Sequence, residues 1–139
     1  MIVLPVSFLV PGTARAVIAR LDVPLSFWGG YSAEAGIVID RTHPDCGRRL
    51  AGTIVAMREA RGSSSASSTL VEAARIGTAP AAIILERRDP ILTIGSLVAA
   101  DLYGVDIPIA LLDAIYWPQL GDGRTASLDG PGSQILVED

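Results

Sequence analysis

The stretch Arg61-Gly62-Ser63-Ser64-Ser65-Ala66-Ser67-Ser68 concentrates hydroxyls beside a glycine. Backbone N–H groups left free ahead of a helix, together with the positive end of its dipole, attract carboxylates and phosphates. A hydroxyl held there can bind an anion, and if its conjugate base is stabilised it can take a proton. The competing reading is structural, since Gly-Ser clusters serve as linkers and a serine ahead of a helix serves as its N-cap. The flanks argue against a linker, because neither half of the chain is long enough to be a domain. The other polar candidate is the loop Asp40, Thr42, His43-Pro44 and Gly47. No neighbouring residue pairs His43 with a nucleophile, so a hydrogen-bonded structural histidine competes with a catalytic one.

These residues need elements to position them. The run Gly52 to Met57 (GTIVAM) is apolar and β-branched and predicts a strand. Thr69 to Gly77 puts Leu70, Ala73, Ala74 and Gly77 on one helical face and stops on glycine. The serines therefore fall where a strand hands over to a helix N-terminus. Further strands are predicted over 2–10, 14–21, 36–39, 81–85, 107–111 and 134–137. Helices are predicted over 67–76 and 91–102, the second capped by Asp89 ahead of Pro90. Leu112 to Tyr116 reads as a helical turn, and Gly121 to Gly132 as loops leading into the last strand. In Pro24-Leu25-Ser26-Phe27-Trp28-Gly29-Gly30 the aromatic pair either plugs the core or lines a rim.

Composition narrows the function. A chain of 139 residues fits one domain, residues 1–139. Half of the residues are apolar, only 19% are charged and mean hydropathy is +0.44, which points to a surface partly covered by a partner. A net charge of −4 without a basic block argues against nucleic acid. The chain has no lysine, which excludes Schiff-base and P-loop chemistry within it. One cysteine and one histidine cannot build a metal site, so no metal ligand is expected here, and unpaired Cys46 suits a reducing compartment. Met1 to Val10 lacks the basic start and cleavage site of a signal peptide, and no run reaches the roughly 20 apolar residues of a membrane span. The expectation is a cytoplasmic protein.

Several segments, in this order and spacing, resemble a known family: LSFWGG at Leu25–Gly30, GIVID at Gly36–Asp40, His43-Pro44, Gly52, RGSSS at Arg61–Ser65 and APAAIIL at Ala79–Leu85. The set is similar to the small subunit, or swivel domain, of the aconitase X hydro-lyases, and covers about Pro11 to Leu111. The resemblance implies a mixed α/β, swivelling β/β/α domain, a compact barrel-like sheet with packed helices. It implies docking on a large subunit that carries an iron–sulfur cluster acting as Lewis acid on the leaving hydroxyl. By the same resemblance Ser63 is the proton acceptor. Gly62 would let the backbone approach a small hydroxy-acid substrate, and the N–H groups of Ser64 and Ser65 would hold its alkoxide or carboxylate. Ser67 and Ser68 would cap the helix.

Two activities belong to that family: dehydration of cis-3-hydroxy-L-proline to a pyrroline carboxylate, and dehydration of mevalonate 5-phosphate to its anhydro form. SFWGG and the GSSS run are nearer the first. Ala16, Ser32 and Ala66 stand where the family has an early-turn glycine, an aspartate and a glycine. Ala16 and Ala66 look structural, and Ser32 bears on the subunit interface or site rim. A reading of another class, a non-catalytic binding module or phosphocarrier, would use His43.

Overall fold

The computed structural model describes residues 1–139. Its centre is four mutually parallel strands in the order β3 (Ala14–Arg20), β6 (Ile54–Ala56), β7 (Ala82–Leu85) and β8 (Ile109–Leu111). Parallel neighbours need long crossovers, and here α2 (Ala66–Ile76) joins β6 to β7 while α3 (Pro90–Tyr103) joins β7 to β8. Both helices therefore start at the carboxyl edge of the parallel strands. The apolar runs follow from burial on two faces. Ile54, Ala56, Ala82 and Ile84 face one buried core with Trp117, Leu128 and Ile135. Val55, Met57, Ile83 and Leu85 face a second core against Leu70, Ala73 and Ala74 of α2 and Leu92 and Ala99 of α3. Each such Ile or Leu contributes about 1.5–3 kcal/mol on leaving water.

Antiparallel strands complete the wall. β9 (Thr125–Asp129) pairs with the first half of β3 and with β10 (Gln134–Val137), and β10 pairs with β1 (Ile2–Pro5). β2 (Ser7–Val10) pairs with β8 at the far end of the sheet. The predicted strand over 2–10 is thus two strands that divide at Val6. The division follows from Pro5, which has no N–H to offer a ladder. Val6 is buried and its N–H donates to Ser133 O at 3.0 Å, so the two halves meet opposite ends of one sheet and nearly close it into a barrel. This is the expected barrel-like sheet with packed helices.

The helices lie as the sequence places them, each within one residue of its predicted start. Asp89 accepts from Leu92 N–H at 3.0 Å with Pro90 in the first turn, and Gly77 and Gly104 close the two helices in left-handed conformation. The predicted turn over 112–116 is a 3-10 helix over Ala114–Gln119 that seats Trp117 in the barrel, its indole N–H donating to Leu112 O at 2.8 Å. β9 replaces part of the loop expected over 121–132. Only Ala126 and Leu128 alternate inward there, a short signal among glycines. Ala16 lies within β3 and not in a turn, because it faces Ala126 in the ladder.

A small hairpin, β4 (Tyr31–Ser32) with β5 (Ile37–Val38), packs over α2. Just before it, α1 (Phe27–Gly30) is a kinked turn. It splits the aromatic pair: Phe27 is buried, edge to face with Tyr31 at 5.2 Å, while Trp28 is 59% exposed. The Tyr31 hydroxyl donates to Thr78 O at 2.5 Å, and burial pushes it up to about 12 from 10.0, partly offset by Arg49. A raised value means that the folded state keeps a proton the unfolded chain releases. The Tyr31 contribution is therefore whole below pH 10.0 and is lost as pH climbs to about 12. Denaturant melts from pH 8 to 12 should show a loss of stability above about pH 10 that is shallower in Tyr31→Phe.

Candidate functional site

The serine turn stands at the carboxyl edge of the parallel strands, where ligands bind in open α/β sheets. From β6 the chain runs through Met57 to Arg61, whose N–H donates to Leu25 O at 3.2 Å, and enters α2 at Ala66. Ala66 is buried in the core below α2, so it fixes the height of the turn above the sheet. The N–H groups of Gly62, Ser63 and Ser64 donate to no protein acceptor. The Ser65 N–H donates to Ser63 Oγ at 3.3 Å. That bond holds the Ser63 side chain over the N-terminus of α2, half-buried, while Ser64 is exposed. No carboxylate or imidazole lies within hydrogen-bonding distance of Ser63 Oγ, so nothing in this chain accepts its proton.

Gly62, Ser63, Ser64 and Ser65 are thus brought together as one turn, and its capping differs from expectation. Ser65 occupies the N-cap position without a side-chain cap bond, and Ser67 Oγ donates back to Ser64 O at 3.1 Å. Ser67 and Ser68 lie inside the first helical turn, too late in the chain to reach its free N–H groups. Nothing lies within 4 Å of a Cβ built at Gly62, so no contact within this chain demands glycine there.

Around the turn the charge is chiefly arginine. Arg58 pairs with Glu86 at 3.0 Å and stacks over Trp117, 5.6 Å from its ring centroid. Arg87 lies 3.7 Å from Glu59, whereas Arg61 and Arg88 form no ion pair. Asp40 is exposed, and hydrogen bonds from Thr42, side chain first and then backbone, hold its carboxyl below the usual range.

His43 does not join the turn. It is buried, its Nε2 is 2.9 Å from Val23 O and its Nδ1 accepts from Asp45 N–H at 3.0 Å. These partners fix the neutral tautomer with the proton on Nε2 and leave neither nitrogen for substrate. Ser32 is equally local: its Oγ accepts from Ala35 N–H at 3.1 Å in the hairpin turn. No group of three or more His, Cys, Asp or Glu side chains converges to hold a metal.

The family model described as the aconitase X swivel domain matches residues 3–137. The chain belongs to the aconitase X swivel-domain family. Cis-3-hydroxy-L-proline dehydratase of Pseudomonas aeruginosa is 43% identical over 123 residues, 84% of this chain and 21% of the relative. Phosphomevalonate dehydratase small subunit of Methanopyrus kandleri is 39% identical over 85 residues, 61% of this chain and 58% of the relative. The crystal structure of Thermococcus kodakaraensis aconitase X in its holo form superposes with a TM-score of 0.87 at 25% identity, covering 100% of both chains. The swivel domain thus spans about a fifth of the length of the Pseudomonas relative. No helix in it is long and apolar enough to cross a membrane.

One positioning residue escaped the sequence reading. Gly95, in the second turn of α3, faces Ser67, and a Cβ there would stand 3.1 Å from both Ser67 Cα and Ser67 O. The only signal was a glycine inside a helical pattern, a choice that costs about 1 kcal/mol against alanine. The close crossing sets where the first turn of α2, and with it the serines, can lie. Gly95→Val should lower stability by about 1–3 kcal/mol despite removing a glycine from a helix, read as a lower midpoint in urea.

Proposed function

We propose that this swivel domain, residues 1–139 acting as one unit, is the small subunit of a hydro-lyase in which Ser63 takes the α-proton of a β-hydroxy acid. The observation that carries the reading is the Ser63 hydroxyl held over a helix N-terminus beside the free N–H groups of Gly62, Ser63 and Ser64. Serine is a weak base in water. An alkoxide at this turn would be stabilised by the Ser65 N–H and by the dipole of α2. In the step, the Cα–H pair becomes the new Cα=Cβ double bond, the proton passes to the Ser63 alkoxide, and the β-hydroxyl departs with the C–O pair, taking up that proton to leave as water and regenerate the base. The open N–H groups of the turn suit the substrate carboxylate or the alkoxide.

We infer cis-3-hydroxy-L-proline as the substrate, giving a pyrroline-2-carboxylate. The Pseudomonas dehydratase is 43% identical over 84% of the chain, whereas a phosphomevalonate small subunit that covers 93% of the chain is 29% identical. Mevalonate 5-phosphate is the second reading, favoured by relatives named as small subunits. The carrier reading loses support, because both His43 nitrogens are engaged inside the fold. The donor set of this chain offers no seat for an iron–sulfur cluster. We assign the cluster to the large aconitase X subunit. A cytoplasmic location belongs to the same proposal.

The test is a dehydratase assay of the chain co-expressed anaerobically with its large subunit, offered each substrate. Turnover of the hydroxyproline, falling about 10²–10⁴-fold in Ser63→Ala with the complex intact, is the expected result. Turnover of the mevalonate compound alone would keep the base and change the substrate. Unchanged activity in Ser63→Ala would remove Ser63 from the chemistry.

A further inference from the structure

The outer side of α3 is unusual for a surface helix. Between Pro90 and Tyr103 its one charged residue is Asp101, and a helix facing water normally carries a polar stripe there. Ile94 and Leu97 are 56% and 54% exposed instead. The close contact of Gly95 with Ser67 brings α3 hard against the first turn of α2. A groove of about 290 Å³ opens between them, lined by Ser67, Ser68, Val71, Ile94 and Val98 among others. Glu72, the one carboxylate of the groove, is paired with Arg75. The groove is therefore apolar along its floor and electrically quiet at its rim.

Its position identifies the occupant. The groove begins at Ser67 and Ser68, on the same helical turn that Ser63 to Ser65 lead into. A body that receives the Ser63 hydroxyl must come to that turn, and it cannot do so without covering the surface next to it. The swivel domain is about a fifth of the Pseudomonas relative, so a body several times larger exists for such an enzyme to use. We infer that the α2–α3 groove and the Ile94–Leu97 ridge are the seat on which the large aconitase X subunit docks. The seat takes an apolar, uncharged element of that subunit. This rests on the functional reading above, both in naming the subunit and in bringing it to Ser63. Covering two half-exposed aliphatic side chains removes apolar surface from water, and an aspartate placed there would be desolvated without a partner.

The experiment uses the assembled enzyme. The chain, tagged and co-expressed with its large subunit, is purified as wild type, Leu97→Asp, Ile94→Asp, Ser63→Ala and Val3→Asp. Val3 is 53% exposed on β1, on the wall of the barrel that the helices do not cover, and controls for the same chemical change elsewhere. Co-purified large subunit and its dissociation constant are read on each, with circular dichroism of the recovered chain to verify helix content. Leu97→Asp and Ile94→Asp should weaken association about tenfold or more with unchanged helicity, while Ser63→Ala and Val3→Asp hold the subunit as wild type does. Wild-type association in both ridge variants overturns the inference. So does loss of a small-chain dimer with the large subunit still bound, which would make a second copy the occupant. If the ridge variants dissociate and neither substrate turns over in wild type, docking stands and the chemistry falls. If they associate normally and Ser63→Ala is inactive, the chemistry stands and the docking seat falls.

Discussion

Strands β3, β6, β7 and β8 run the same way, and a parallel ladder can be continued only by a chain that returns to the starting edge before pairing again. Three returns are made, the first through the segment 21–53 with its small hairpin and the other two each by a long helix over the same face of the sheet. From that constraint much of the molecule follows. Both helices must begin at one edge, so the loops that precede them collect there. The strands beneath must be apolar on both sides, one side for the helices and one for the barrel interior. The serine turn is where it is because β6 ends and α2 begins, and its height is set by Ala66 and by the contact between Gly95 and Ser67.

The remaining strands serve closure. β3 gives its first half to β9 and its second half to β6, so one strand belongs to an antiparallel and a parallel ladder in turn. The segment before it also changes partner across Val6, one half on β10 and the other on β8, both antiparallel. An open sheet of this width would leave two edges with unpaired N–H and C=O groups, a template for association. Partner exchange at these two places removes most of that edge. It also makes the interior a packed core, filled by Trp117, Leu120 and the aliphatic residues around them.

Much of this was legible in the residues, and the misses have physical causes. Continuous apolar runs at 54–56 and 82–85, a capped start at Asp89-Pro90 and glycine stops at Gly77 and Gly104 all report local chemistry, and the chain obeys them. The break at Val6 had Pro5 as its one signal, set inside a single apolar pattern shared by β1 and β2, and which strand each half meets is decided far away. β9 was hidden because two small inward residues between glycines carry little hydrophobic signal. At the site, the serines could be placed ahead of a helix from spacing alone. That Ser65 leaves its cap bond unmade, or that His43 spends both nitrogens on Val23 and Asp45, depends on tertiary placement that no local pattern encodes.

The pairing of β1 with β10 joins residues from opposite ends of the sequence, Ile2 beside Val137 and Leu4 beside Ile135. Such contacts close the longest loop the chain can make, and their entropy must be met before the ladder returns anything. The parallel centre with its two helices has far more local wiring. That centre can therefore form first, while the barrel wall stays open and its edge strands uncovered until β10 reaches β1. The interval exposed to aggregation is therefore governed by how soon β10 reaches β1.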